Sequence, residues 1–156
     1  MADIIVEYLL DTASVDITFN DGTLGDGTDK YWLTSITGLD GPAIRAPVDL
    51  VPFGNGGIVH TFRLGPRRIT FDGMFLIESS TSQGDCMELR NNLRDNLLSA
   101  LASCLTTSAT LSWTDTGGSS FSIPVYNEVG LSCPYSDNYM VQNFSFGLFA
   151  EASAPT

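Results

Sequence analysis

The chain has 156 residues but a single histidine, His60, and a single lysine, Lys30. A Ser-His-Asp triad needs its histidine oriented by an acid beside an activated serine. His60 lies between Val59 and Thr61 in a strand-like run, and no G-x-S-x-G elbow occurs. One histidine and three scattered cysteines cannot make a zinc tetrad. Gly54-Asn55-Gly56-Gly57 opens no helix and precedes no lysine, so it is not a phosphate-binding loop. Nothing in the pattern points to the concave pocket of a carboxylate-pair glycosidase. The expectation is a protein that is not an enzyme, with no catalytic residues, no cofactor and no metal.

Other absences narrow the class. Cys86, Cys104 and Cys133 are odd in number and show no C-x-x-C spacing, so they make no disulfide framework. They read as reduced thiols of a protein folded in a cytoplasm. The N-terminal run MADIIVEYLL lacks a basic leader region, and no 18-residue apolar run occurs. A soluble protein without an N-terminal export signal is expected.

Charge is scarce at 16%, against 43% apolar residues, which suggests surface covered by partners. The formal net charge is −11, unevenly spread. Residues 1–29 hold seven acids and no Lys or Arg, and residues 95–156 hold five acids and none. All seven basic residues, six of them Arg, lie between Lys30 and Arg94. Arginine suits bidentate pairing with carboxylates at interfaces. Such an acidic chain should not bind nucleic acid by neutralising phosphates, and it would repel DNA moving past it.

What is present is mostly β pattern. Asp3–Leu10, Val15–Phe19 and Tyr31–Ile36 read as strands. NDGTLGDGTD between the last two is turn chemistry, with the wrong ligand order for a calcium loop. Arg67–Glu78 is the fourth strand of the body, where Gly73 suggests a bulge or close backbone approach. Thr81, Ser82 and Gln83 offer caps for one helix over about 84–103, with Asp85 and Glu88 in its first turn. Leu89, Leu93, Leu97, Ala100 and Leu101 share a face of that helix, with Cys86 a turn earlier. Ala109–Trp113 and Phe121–Glu128 pair across a turn at 115–118. Gly130–Pro134 is a connector or short strand. Tyr139–Ala150 is a long last strand, with Met140, Gln142, Phe144, Phe146 and Leu148 on one face. The tail EASAPT reads as frayed.

The stretch between the third and fourth strands is distinct. Residues 37–73 hold seven of the fifteen glycines. Pro42, Pro47 and Pro52 recur every five residues, which bars this leg from a central strand. Gly54-Asn55-Gly56-Gly57 folds it back, and Ile58–Leu64 returns. The reading is a long hairpin arm over about 43–64 leaving a single β-sandwich domain that spans 1–156, with one helix packed on it. Docking of this arm on a neighbour's surface is favoured over burial in its own domain.

Two segments carry a family resemblance. Ile36-Thr37-Gly38-Leu39-Asp40-Gly41-Pro42 and Gly65-Pro66-Arg67-Arg68-Ile69-Thr70-Phe71-Asp72-Gly73 flank a Gly-rich tip, and Leu89-Arg90-Asn91-Asn92-Leu93 steps along a helix after them. This order resembles the N-terminal domain of siphophage distal tail proteins over nearly the whole chain. The resemblance implies a structural virion protein made in the host cytoplasm and carried in the virion tail. It implies a homohexameric ring at the end of the tail tube, joining the tube protein to the tail-tip hub. DNA would pass through the ring's channel without specific binding, and no membrane is involved. Each arm would belt the adjacent subunit. The candidate contacts are Arg45, Pro47, Val51, Phe53, Ile58, His60, Phe62, Arg63, Arg67 and Arg68. Many relatives carry a second, C-terminal domain; this chain is expected to have none, which makes a direct receptor role doubtful.

Two other readings stay open. A major tail tube protein would share the sandwich, helix and loop but stack into many rings. A stand-alone carbohydrate- or peptide-binding sandwich would need exposed aromatics on a groove, with Trp32, Trp113 and Tyr135 as candidates.

Overall fold

Strand alternation decides the architecture, beginning with the longest inward row. In the computed structural model, residues 6–39 and 66–150 are described in full; between them only the backbone of four short strands is described. β1 (Tyr8–Asp11), β2 (Ile17–Phe19) and β3 (Lys30–Thr37) precede the arm strands β4 (Ile44–Arg45), β5 (Val48–Leu50), β6 (Gly57–Val59) and β7 (Arg63–Leu64). β8 (Arg67–Leu76), the helix α1 (Gln83–Ser103), β9 (Ala109–Thr114), β10 (Ser120–Ser132) and β11 (Val141–Ala150) follow. β8 buries every second residue, and β11 pairs with it from Val141↔Leu76 to Ala150↔Arg67. That register brings Phe71 and Phe146 face to face, with ring centroids 4.7 Å apart and planes 5° from parallel. Phe75 and Phe144 pack at 4.8 Å, and Phe19 meets Phe71 at 5.5 Å. Each such pair adds about 0.5–1.5 kcal/mol beyond the burial of its area.

The sheet is a closed barrel in the order β1-β2-β3-β8-β11-β10-β9, which corrects the expected sandwich. The physical reason is that β1 pairs on both sides, with β2 and with β9, so the sheet does not split into two layers. Closure between β2 and β3 rests on one parallel bridge, Phe19↔Tyr31. Asn20 extends it with its side chain. Its Oδ1 accepts the Leu33 N–H at 2.8 Å, and its Nδ2 donates to the Val6 carbonyl at 3.0 Å. Asn20 is buried and has φ of 60°, a left-handed conformation that asparagine tolerates better than most residues.

Gly73 marks a close approach, and the bulge lies opposite it on β3, between Leu33 and Ser35. A Cβ at Gly73 would stand 2.8 Å from the Phe144 ring and 2.5 Å from the Trp32 carbonyl oxygen. The first strand starts at Tyr8, later than expected; residues 3–5 of that expectation lie outside the described residues. β10 absorbs most of the expected connector at 130–134 and runs on to Ser132 through two register shifts.

The helix touches β2, β8 and β10, which are not neighbours around the barrel, so it covers an opening into the interior. Cys86, Leu97, Ala100 and Leu101 are its buried residues; Leu89 and Leu93 are half-buried. Ser82 holds the N-cap position, but its hydroxyl caps no helix N–H. The C-terminus has no glycine and no basic residue in its last turn. β10 caps it instead. Asn127 donates from its backbone N–H to the Cys104 carbonyl at 3.1 Å and from Nδ2 to the Leu101 carbonyl at 3.3 Å. Tyr31 completes the attachment, its hydroxyl donating to the Leu93 carbonyl at 2.8 Å.

Candidate functional site: the arm and its neck

The arm's described backbone forms two small ladders. Ile44 faces Leu64 and Arg45 faces Arg63 in the first; Val48, Asp49 and Leu50 face Val59, Ile58 and Gly57 in the second. Both are two-stranded sheets, as the prolines require, and neither joins the barrel. The registers differ by one residue, which fits one hairpin with an irregularity between its ladders. The 51–56 tip lies outside the described residues, as do Pro47, Val51, Phe53, His60 and Phe62. Arg45, Ile58 and Arg63 are placed only by register. Two arginines at facing positions disfavour that pair unless carboxylates lie near them.

The neck between arm and barrel is described as far as Leu39 on the outgoing leg and from Pro66 on the returning one. The β3–β8 pairing ends at Thr37↔Thr70. Gly38 follows with φ of 91°, its Cα against the Arg68 carbonyl, where any Cβ would collide. Arg67 is buried, and its Nη1 donates to the Leu39 carbonyl at 3.1 Å, tying the outgoing leg to the returning one. Its Nε is buried without an acceptor. Arg68 is exposed and pairs with Glu128 at 3.0 Å. The structure thus places Arg67 and Arg68 at the base of the arm rather than along it.

The acidic loop before β3 is built around the lone lysine. Lys30 is buried, and its Nζ donates to Asp26 Oδ1 at 2.7 Å and to the Thr23 carbonyl at 2.6 Å. Glu78 lies 3.6 Å from the same ammonium and accepts the Gly25 and Gly27 N–H groups. Asp29 accepts the backbone N–H groups of Glu78 and Ser79. The hydrogen bond from Lys30 holds the Asp26 carboxyl well below the usual carboxylate range. These carboxylates therefore have an internal cation and N–H donors, and no metal-ligand cluster occurs among the described residues.

The candidate aromatics do not line a common groove. Trp113 stacks on Phe121 at 5.6 Å and meets Tyr8 at 6.1 Å; Trp32 is half-buried opposite Met74 on β8; Tyr135 is 89% exposed on the loop after β10. Cys86 and Cys104 are buried free thiols, and Cys133 is a half-buried one. Burial pushes the Cys104 and Cys133 thiols up from their ordinary pKa. The sequence reading gave Lys30, Asn20 and Gly38 no structural role of their own, although Lys30 stands out as the lone lysine and Gly38 lies in a segment that carries the resemblance.

The fold of this chain is similar to that of phage proteins of known structure. The crystal structure of SPP1 Dit (gp 19.1), described as a paradigm of the hub adsorption apparatus in phages infecting Gram-positive bacteria, superposes with a TM-score of 0.58 at 11% identity, over 94% of this chain and 49% of that one. The phage p2 baseplate in its activated conformation matches with TM-scores of 0.55 with strontium and 0.56 with calcium, at 13% and 14% identity, over 97% of this chain. This chain spans about half the length of those it matches. No protein-family model and no curated protein matches the sequence.

Proposed function

We propose that this chain is a structural subunit of a phage tail tip. In this reading it assembles through its arm into a ring, six subunits around a channel for DNA, between tail tube and tip hub. The arm carries the reading. Its described strands form two two-stranded ladders, bound to no third strand among the described residues, with Arg45 opposite Arg63, on a barrel whose described residues are mostly acidic where charged. The described arm strands pair with one another and not with the closed barrel. Facing arginines on the arm and acids on the body fit a heterologous contact, in which one patch meets a different patch on the next copy. The shared fold supports the tail-tip setting.

Deletion of residues 48–60 tests this reading. The expected product is a folded barrel, with unchanged far-ultraviolet circular dichroism, that elutes as a monomer where the full chain elutes as a ring. A deletion that still forms rings removes the arm from the account.

A further inference from the structure

Half-buried carboxylates in this molecule come with donors. Asp29, Glu78 and Asp115 are half-buried, and each accepts two backbone N–H groups. Asp72 is the exception. It is half-buried on the outward row of β8, and no donor or cation meets its carboxylate among the described residues. The Thr34 hydroxyl beside it donates to the Asp72 backbone carbonyl, at 3.1 Å. Arg68, four residues along the same row and so about 13 Å away by strand rise, pairs with Glu128 instead. The registers Ser35↔Asp72 and Asp72↔Ser145 set the carboxylate midway across β3, β8 and β11. Shallow depressions of about 380 Å³ and 120 Å³ flank it, and Asp72 and Ser145 line both. Small residues leave the room: Gly73 lines the larger depression and Gly147 the smaller.

We propose that Asp72 receives an arm arginine, Arg45 or Arg63, from a second copy of the chain. This inference rests on the ring reading and names the place on the neighbour where the arm docks. Charge argues for the occupant. Every basic residue whose side chain is described has a partner in its own subunit. Lys30 meets Asp26, Arg67 the Leu39 carbonyl, Arg68 Glu128, Arg90 the Asn138 carbonyl and Arg94 Asp95. Arg45 and Arg63 remain, at facing positions where like charges disfavour each other unless a carboxylate lies near. A half-buried carboxylate serves them better than an exposed one, because salt and water screen it less. The path of the chain argues for a second copy. From the neck at Arg67, β8 runs five residues, about 17 Å, before it reaches Asp72. The subunit's own arm would have to double back over the neck to cover that distance, and its ladders join no barrel strand.

The test is charge reversal in two full-length chains, with assembly followed by light scattering against protein concentration. One chain carries Asp72→Arg; the other carries Arg45→Asp together with Arg63→Asp. Each alone should raise the concentration for half-assembly by about tenfold or more, with circular dichroism unchanged. Asp72→Arg lowers the net negative charge, so general repulsion does not explain a loss of assembly in that chain. An equimolar mixture should assemble nearly as well as the natural chain, because alternating copies match at every contact: natural arm on natural Asp72, reversed arm on reversed site. A mixture that stays as unassembled as its components overturns the inference, as expected if the arm meets Asp72 within one subunit or docks elsewhere. Asp72→Arg assembling as readily as the natural chain also overturns it, and both results leave the ring reading standing. If Asp72→Arg loses the fold, Asp72→Asn removes the charge alone and should still weaken assembly severalfold; no change in that variant overturns the inference. A natural chain that stays monomeric throughout overturns the ring reading and this inference with it.

Discussion

Single residues do most of the specification at the seams of this molecule. Asn20 is the clearest case. Its amide spans a seam that has one backbone bridge, and its left-handed φ would strain an alanine. Asn20→Ala should cost about 2–4 kcal/mol, the sum of two lost hydrogen bonds and the backbone penalty. Chemical denaturation would read this as a lower midpoint. A cost under half a kcal/mol would mean that the amide does not hold the seam. Gly73 shows how much a residue can announce in sequence. A glycine inside a strand pattern signals close approach, and the Phe144 ring occupies the space a Cβ would need. Asn20 announced nothing, because an asparagine before Asp-Gly looks like ordinary turn chemistry until the fold sets it between Val6 and Leu33.

At the scale of elements, the helix and the arm were legible for different reasons. Leucines at three- and four-residue steps located α1 to within a residue of its ends. Its capping was not legible. Ser82 sits in position without capping, and the carbonyls at the other end are met by Asn127 from a strand far away in sequence. The anchor at Tyr31 has a measurable signature. Burial raises its phenol pKa above the ordinary value. A group that holds its proton more tightly when folded stabilises the fold fully below the unfolded pKa of about 10, and that contribution fades as pH rises beyond it. Tyr31→Phe should therefore cost about 1 kcal/mol at neutral pH and flatten the loss of melting temperature above pH ~10. An unchanged alkaline slope would show that the phenol titrates freely. The arm was visible through proline spacing and glycine. Its neck was not, because Arg67 reads as a surface residue until Leu39 returns beside it.

At the scale of the whole molecule, alternation gave the strands but not their closure. Whether seven strands form two layers or one barrel depends on β1 pairing at both edges, a tertiary fact that no local pattern encodes. Charge was legible at this scale, since the acids lie at both ends of the chain and the basic residues in the middle. Their use was not. Two of the basic residues, Lys30 and Arg67, are spent inside the subunit, one holding a loop and one holding the neck. Electron microscopy of the purified full-length chain tests the account most directly. It predicts closed rings with six-fold symmetry and an open centre. Monomers without ring-shaped particles, at high protein concentration and at low and high salt alike, would contradict it.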